Sequence, residues 1–248
     1  MSGGAASAAG RVALVTGAGV RVGRAIALEL ARAGADVAVH YRSSAAEAAQ
    51  TANEIRAIGR RAAELPAELS EPSQCRELVR AAAAALGGLD LLVHSAASFD
   101  RVALEETTEA VWDAALALNA RAGFLLAREA AEWLRPRRGR VVLISDALAR
   151  QPVRGYLAHS VSKAAVEGLV RALALELAPE VSVNGIAPGT VLVPEGTPAE
   201  QAARWARRLP LQRLGSAEDV ARTALFLCTG PSYVTGQILA VDGGQSLV

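Results

Sequence analysis

One short unit near the start of the chain limits what it can become. An apolar run (Val12, Ala13, Leu14, Val15) halts at Thr16-Gly17-Ala18-Gly19-Val20-Arg21-Val22-Gly23 and is followed by a helical pattern to residue 33. Glycines at 17, 19 and 23 permit a tight turn, close backbone approach to a pyrophosphate and close packing of helix on strand. The helix that follows offers unpaired N–H groups and the positive end of its dipole. Val22, Ile26 and Leu30 recur at four-residue intervals, which makes this helix amphipathic. A buried strand before the glycines and an amphipathic helix after them is the context a dinucleotide site requires.

The next strand pattern, residues 36–40, ends at His40-Tyr41-Arg42-Ser43-Ser44. An acidic side chain here would hold a ribose 2′-hydroxyl and repel a 2′-phosphate; Arg42 and Ser43 instead suit the phosphate. With Arg21 adding a cation inside the loop, the expected coenzyme is NADPH rather than NADH.

Strand-like runs near 11–16, 36–40, 61–65, 90–95, 140–145, 181–187 and 237–241 alternate with helix-length segments. That rhythm predicts parallel strands joined by right-handed helical crossovers, a doubly wound Rossmann-type α/β sheet with helices on both faces. At 248 residues and 52% hydrophobic content the chain suits one domain, 11–248, after a flexible small-residue leader at 1–10. A net charge of +1 without a basic patch argues against nucleic acid as a partner. Cys75 and Cys228 both fall in helical patterns and imply no disulfide framework. Charges interrupt each helix-length segment, so no membrane span is expected, and with no secretion signal the expected location is cytoplasmic.

Ligands of such sheets sit beyond the carboxyl ends of the strands. The residues to inspect are therefore Gly17 to Gly23, Arg42 to Ser44, Glu68-Leu69, Ser95 to Phe99, Ser145-Asp146 and Pro188-Gly189-Thr190, with a mobile flap predicted over 188–210 before a short basic helix. Asp146 follows the strand Val141-Val142-Leu143-Ile144 and places a carboxyl group at the mouth of the crevice. His159 and Lys163, four apart, share one helix face. Asn119 interrupts an apolar helix pattern at 114–126 and is expected to be buried and hydrogen-bonded. Nothing points to a metal.

These motifs together resemble the short-chain dehydrogenase/reductase family over nearly the whole chain after Gly10. The wider family shows in the 16–23 loop, Asn119, Lys163, Pro188-Gly189, Tyr233-Val234-Thr235-Gly236-Gln237 and Val241-Asp242-Gly243-Gly244. A pteridine-reductase-like branch shows in Arg21, His40-Tyr41-Arg42-Ser43, Ser98-Phe99, Asp146, and Gln151-Pro152 before Gly155-Tyr156. The resemblance implies a seven-stranded order 3-2-1-4-5-6-7 and a homotetramer. It also implies coenzyme contacts from Gly17, Gly19, Arg21, Val22, Gly23, His40, Tyr41, Arg42, Ser43, Glu68, Leu69, Ser95, Ala96, Lys163, Pro188, Gly189, Thr190 and Val191. Catalysis would fall to Asp146, His159, Lys163 and Asn119, with Arg21, Phe99, Asp146 and His159 on the substrate. The substrate would be a pterin-like heterocycle stacked on Phe99 and reduced at a C=N bond.

Two positions depart from the family pattern. The proton-donating tyrosine expected at 159 is His159, and the usual Asn-Asn-Ala-Gly turn reads His94-Ser95-Ala96-Ala97. A tyrosine titrates near about 10 and gives up its proton beside a lysine; an imidazole, near about 6.5, must already be protonated to act as an acid. Asp146 is the group that could hold that charge, so either Asp146 and His159 act as a coupled pair, or Asp146 donates through water while His159 only orients the substrate; Tyr156, one turn earlier, is a substitute donor. Two other readings share the fold: a carbonyl or 3-ketoacyl reductase, and a non-catalytic NADPH-binding sensor or scaffold.

Overall fold

The computed structural model describes residues 7–193 and 196–248. Seven parallel strands form one sheet in the order β3-β2-β1-β4-β5-β6-β7: β1 (Val12–Thr16), β2 (Asp36–Tyr41), β3 (Ala62–Pro66), β4 (Leu91–His94), β5 (Arg140–Ile144), β6 (Ser182–Pro188) and β7 (Ile238–Val241). Both the doubly wound architecture and the strand order are as expected. The order reverses between β1 and β4, where Ala13 pairs with Leu91 and Thr16 with His94.

Alternation along the buried strands divides the core in two. Leu14, Leu92 and Leu143 point to one side, where α3 (Pro72–Leu86), α5 (Ala122–Leu134) and α6 (Leu157–Glu176) add Leu78, Leu126 and Val170. Val15, Val93 and Val142 point to the other, covered by α1 (Arg21–Arg32), α2 (Ala45–Ala57) and α8 (Ala217–Thr229) through Ile26, Ile55 and Leu227. Strands buried on both faces read as continuous apolar runs, which is why periodicity located them to within a residue or so.

Three expectations change. The leader is not free along its whole length: Ala8 is fully buried, its N–H donates to the Ala33 carbonyl at 2.8 Å, and its own carbonyl accepts from Arg11 N. Residues 1–6 lie outside the described residues. Secondly, α4 (Glu109–Leu116), a π turn (Ala117–Arg121) and α5 run on as one helix, Glu109–Leu134, long and apolar enough by length and composition to cross a membrane. Sequence reading broke this run at its charges, but they lie on its outer side, while Ala122, Leu126, Ala130 and Leu134 are fully buried in the core. Thirdly, the short basic helix expected after the 188–210 stretch lies inside it, as α7 (Ala199–Arg208), anchored by buried Leu209; residues 194 and 195 lie outside the described residues.

Candidate active site

The glycine loop is shaped by contacts only glycine permits. A Cβ on Gly23 would lie 2.2 Å from the Gly17 carbonyl oxygen, and Gly17 itself adopts φ +65°. Arg21, at φ +54°, is exposed at the first position of α1 in a conformation costly for a side chain of its size. Val20 before it supplies no side-chain cap and the first turn holds no acid. The first-turn N–H groups are therefore left for an anion, and this backbone fits a pyrophosphate.

Histidine 40 supports that loop from beneath. Gly17 N–H donates to its Nδ1 at 3.0 Å, so the ring proton is on Nε2 and goes to the Ala67 carbonyl at 3.1 Å. Burial drives its pKa down to about 4. With both nitrogens engaged, His40 positions the loop rather than offering the coenzyme contact expected of it. Leu69 also changes role: its side chain is buried in the core, leaving only backbone at the crevice. Tyr41 packs partly buried against the opposite core layer. Arg42 and Ser43 stay exposed, Arg42 in a loose 3.8 Å ion pair with Glu68. The Glu68 carboxylate is held below its usual range chiefly by the Ser70 N–H, despite an opposing desolvation cost, with further help from the Ser70 hydroxyl and Arg42.

The chemical centre lies across the strand-order reversal. Asp146 follows β5 and caps the short turn Ala147–Ala149, its Oδ1 accepting from Leu148 N at 2.8 Å. Its other oxygen faces His159 Nε2 at 3.5 Å. His159, on α6, is 4% exposed, and its Nδ1 lies 2.9 Å from the Ser98 carbonyl. A carbonyl only accepts, so Nδ1 carries the proton, and Nε2 is buried with no hydrogen-bond partner among the described residues. One turn on, Lys163 donates to the Ile144 carbonyl at 2.7 Å; burial lowers its pKa to about 8, against the opposing pull of Asp146.

Asn119 is fully buried in the π turn, the kind of local bulge often found at functional sites. It accepts from Ser98 N at 3.0 Å and donates to Ser162 Oγ at 2.9 Å. Phe99 is half exposed, its ring centroid 4.7 Å from both Tyr156, stacked at 29°, and His159, edge-on at 87°. Tyr156 begins α6 as its N-cap residue and serves as a backing plate for Phe99, a full turn from His159.

Some expected coenzyme-contact residues are engaged within the protein. Ser95 and Ala96 donate both backbone N–H groups to Thr16 Oγ1, at 3.0 and 3.1 Å. Gly189 N donates to the Val241 carbonyl, and Thr190 gives its N–H and hydroxyl to Gln245 Oε1, each at 3.2 Å. Val191 packs partly buried against the core. Ser162 and Gln245 were missed as site residues, while Thr16 and Ser98 stood in the motifs without a role. A buried hydroxyl at the last position of β1 was a legible signal for Thr16; the other contacts join segments 43 to 61 residues apart.

A family model described as "Enoyl-(Acyl carrier protein) reductase" matches residues 17–246. The chain is 37% identical over 250 residues to "Short-chain type dehydrogenase/reductase" of Picea abies, covering 95% of this chain and 92% of that one. It is 36% identical to "NADPH-dependent aldehyde reductase-like protein, chloroplastic" of Arabidopsis thaliana, over 95% of this chain and 94% of that one. Among solved structures, a short-chain dehydrogenase from Burkholderia cenocepacia J2315 in complex with NADP superposes with a TM-score of 0.89 at 37% identity, over 95% of this chain and 98% of that one.

Proposed function

The chain belongs to the short-chain dehydrogenase/reductase family, and from that premise we propose that it is an NADPH-dependent reductase that uses the His159–Asp146 pair as its acid on a flat, pterin-like C=N substrate. The observation that carries this reading is the buried, unpartnered His159 Nε2 aimed at Asp146 Oδ2 across 3.5 Å. Two facing acceptors, a ring lone pair and a carboxylate oxygen, repel; one shared proton makes the pair stable. That proton is the one available for donation.

The coenzyme, when bound, supplies the hydride. Gly17, Gly19, Gly23 and the first turn of α1 would hold its pyrophosphate, with Arg21, Arg42 and Ser43 on its 2′-phosphate. Lys163, released from the Ile144 carbonyl, would hold the nicotinamide ribose. Phe99, backed by Tyr156, offers a flat substrate an apolar plate beside the His159 edge. Asp146 stays anchored by Leu148 N while its free oxygen compensates the imidazolium.

Dihydrobiopterin and dihydrofolate should drive NADPH oxidation by the native protein, and Asp146→Asn should lower kcat roughly 10²–10⁴-fold, the range general acids contribute. Unchanged turnover in the variant removes Asp146 from the mechanism. A second reading, reduction of a carbonyl, is favoured by the aldehyde-reductase-like relative; turnover of aldehydes with none of pterins would select it. Tight NADPH binding with no turnover of either class would mark a non-catalytic binding protein. We also infer a homotetramer, supported by half-exposed Phe226 on α8 and by the open outer edge of β7.

A further inference from the structure

His94 stands where the family pattern has asparagine, and its hydrogen bonds fix its protonation without ambiguity. Thr16 Oγ1 already accepts from Ser95 N and Ala96 N, which uses both of its lone pairs. Its own proton must therefore go to His94 Nδ1, 2.9 Å away. The ring proton is then on Nε2, which faces the Leu118 carbonyl at 3.2 Å. Burial, with Lys163 nearby, drives the pKa of His94 down to about 3, so the ring stays neutral wherever the protein is folded and active.

Leu118 lies inside the π turn, next to Asn119. Asn119 clasps residue 98 through both of its backbone groups, accepting from Ser98 N at 3.0 Å and donating to Ser98 O at 3.4 Å. The same Ser98 carbonyl accepts from His159 Nδ1 at 2.9 Å. A continuous path thus joins the end of β1 to the acid: Thr16, His94, Leu118, Asn119, Ser98, His159. A side chain that reached only Thr16 would leave the π turn without its tie to β4.

We propose that His94 is a positioning residue for the His159–Asp146 pair, fixing the π turn so that the Ser98 carbonyl holds His159 with Nδ1 protonated and Nε2 facing Asp146. The inference rests on the functional reading above for its catalytic consequence, but not for its structural one. Asparagine at position 94 would place an oxygen near the position of Nδ1, yet its amide nitrogen would end short of the Leu118 carbonyl. His94→Asn therefore keeps the bond to Thr16 and loosens the far link.

The chain has three histidines, so ¹⁵N-histidine labelling gives three ring systems. In the native protein above pH 7, His40 and His94 should show protons on Nε2 and His159 alone should, when neutral, show its proton on Nδ1. In H94N the His159 signals should move to a mixture of tautomers, kcat should fall about tenfold, and KM for NADPH should stay within twofold. His94→Gln, whose longer amide spans both partners, should restore the single His159 tautomer. An unchanged His159 spectrum in a folded H94N overturns the proposal. So does a native His94 that carries its proton on Nδ1, a measurement that needs no variant. Absence of turnover in the native protein would count against the functional reading alone, because the tautomer measurement stands without it.

Discussion

The three histidines show how one residue type is set to different tasks by its neighbours. His40 and His94 each accept at Nδ1 and donate at Nε2, and burial holds them at about 4 and about 3, below the ordinary 6.5. Their effect on stability has a definite sign. As pH falls below 6.5 the unfolded chain takes up protons that the folded chain refuses until about 4 and about 3, so stability drops by roughly 1.4 kcal/mol per pH unit for each ring. Urea midpoints measured from pH 7 to 5 should fall accordingly, and His40→Gln should remove about half of that slope. Lys163 acts in the opposite range. Between about 8 and 10.5 the unfolded chain holds a proton that the buried amine has lost, so its contribution to stability rises with pH across that window. Lys163→Met should abolish turnover, raise stability at pH 7 by the order of 1–3 kcal/mol, and flatten the alkaline rise in a thermal-melt series.

At the scale of elements, the glycine loop and the π turn each exchange regularity for placement. α1 reaches the end of β1 only because nothing projects from Gly23 toward the Gly17 carbonyl. Gly23→Ala must push the helix away from the strand, and isothermal titration should show NADPH affinity falling at least tenfold while the circular dichroism of the fold persists. The π turn widens one turn of the long 109–134 helix and directs Asn119 into the crevice, where it meets Ser98 and Ser162. A regular α-helix through 117–121 would turn that side chain by a large fraction of a turn and break both contacts.

For the molecule as a whole, the sheet order sets the address of the site. Reversal between β1 and β4 opens the crevice above Thr16 and His94, and β5 and α6 bring Asp146, His159 and Lys163 to its far wall. At the opposite end of the sheet Asp36, 6% exposed, accepts from Arg60 Nε and Nη2 and from Arg61 N and Nε, at 2.7 to 3.0 Å. Among the described residues the outer edge of β7 has no strand neighbour, and an open edge is usually covered. Light scattering at micromolar concentration should give the mass of four chains; a stable monomer would contradict the tetramer.

Sequence determined the architecture because strands buried on both faces, glycine turns and helix stripes are local patterns, each written within a dozen residues. It determined the candidate chemistry for the same reason: Asp146 must follow its strand, and His159 and Lys163 must share a face. Tertiary structure alone decided what those residues do. Whether His40 touches a ligand or props the glycine loop, and whether Leu69 faces the crevice or the core, depends on which partners the fold brings into contact. Which nitrogen of His159 is free rests on the Ser98 carbonyl, 61 residues away in the chain. Hydrogen-bond partners at such separations leave no periodic trace in a sequence, and they are what convert a histidine into a support or an acid.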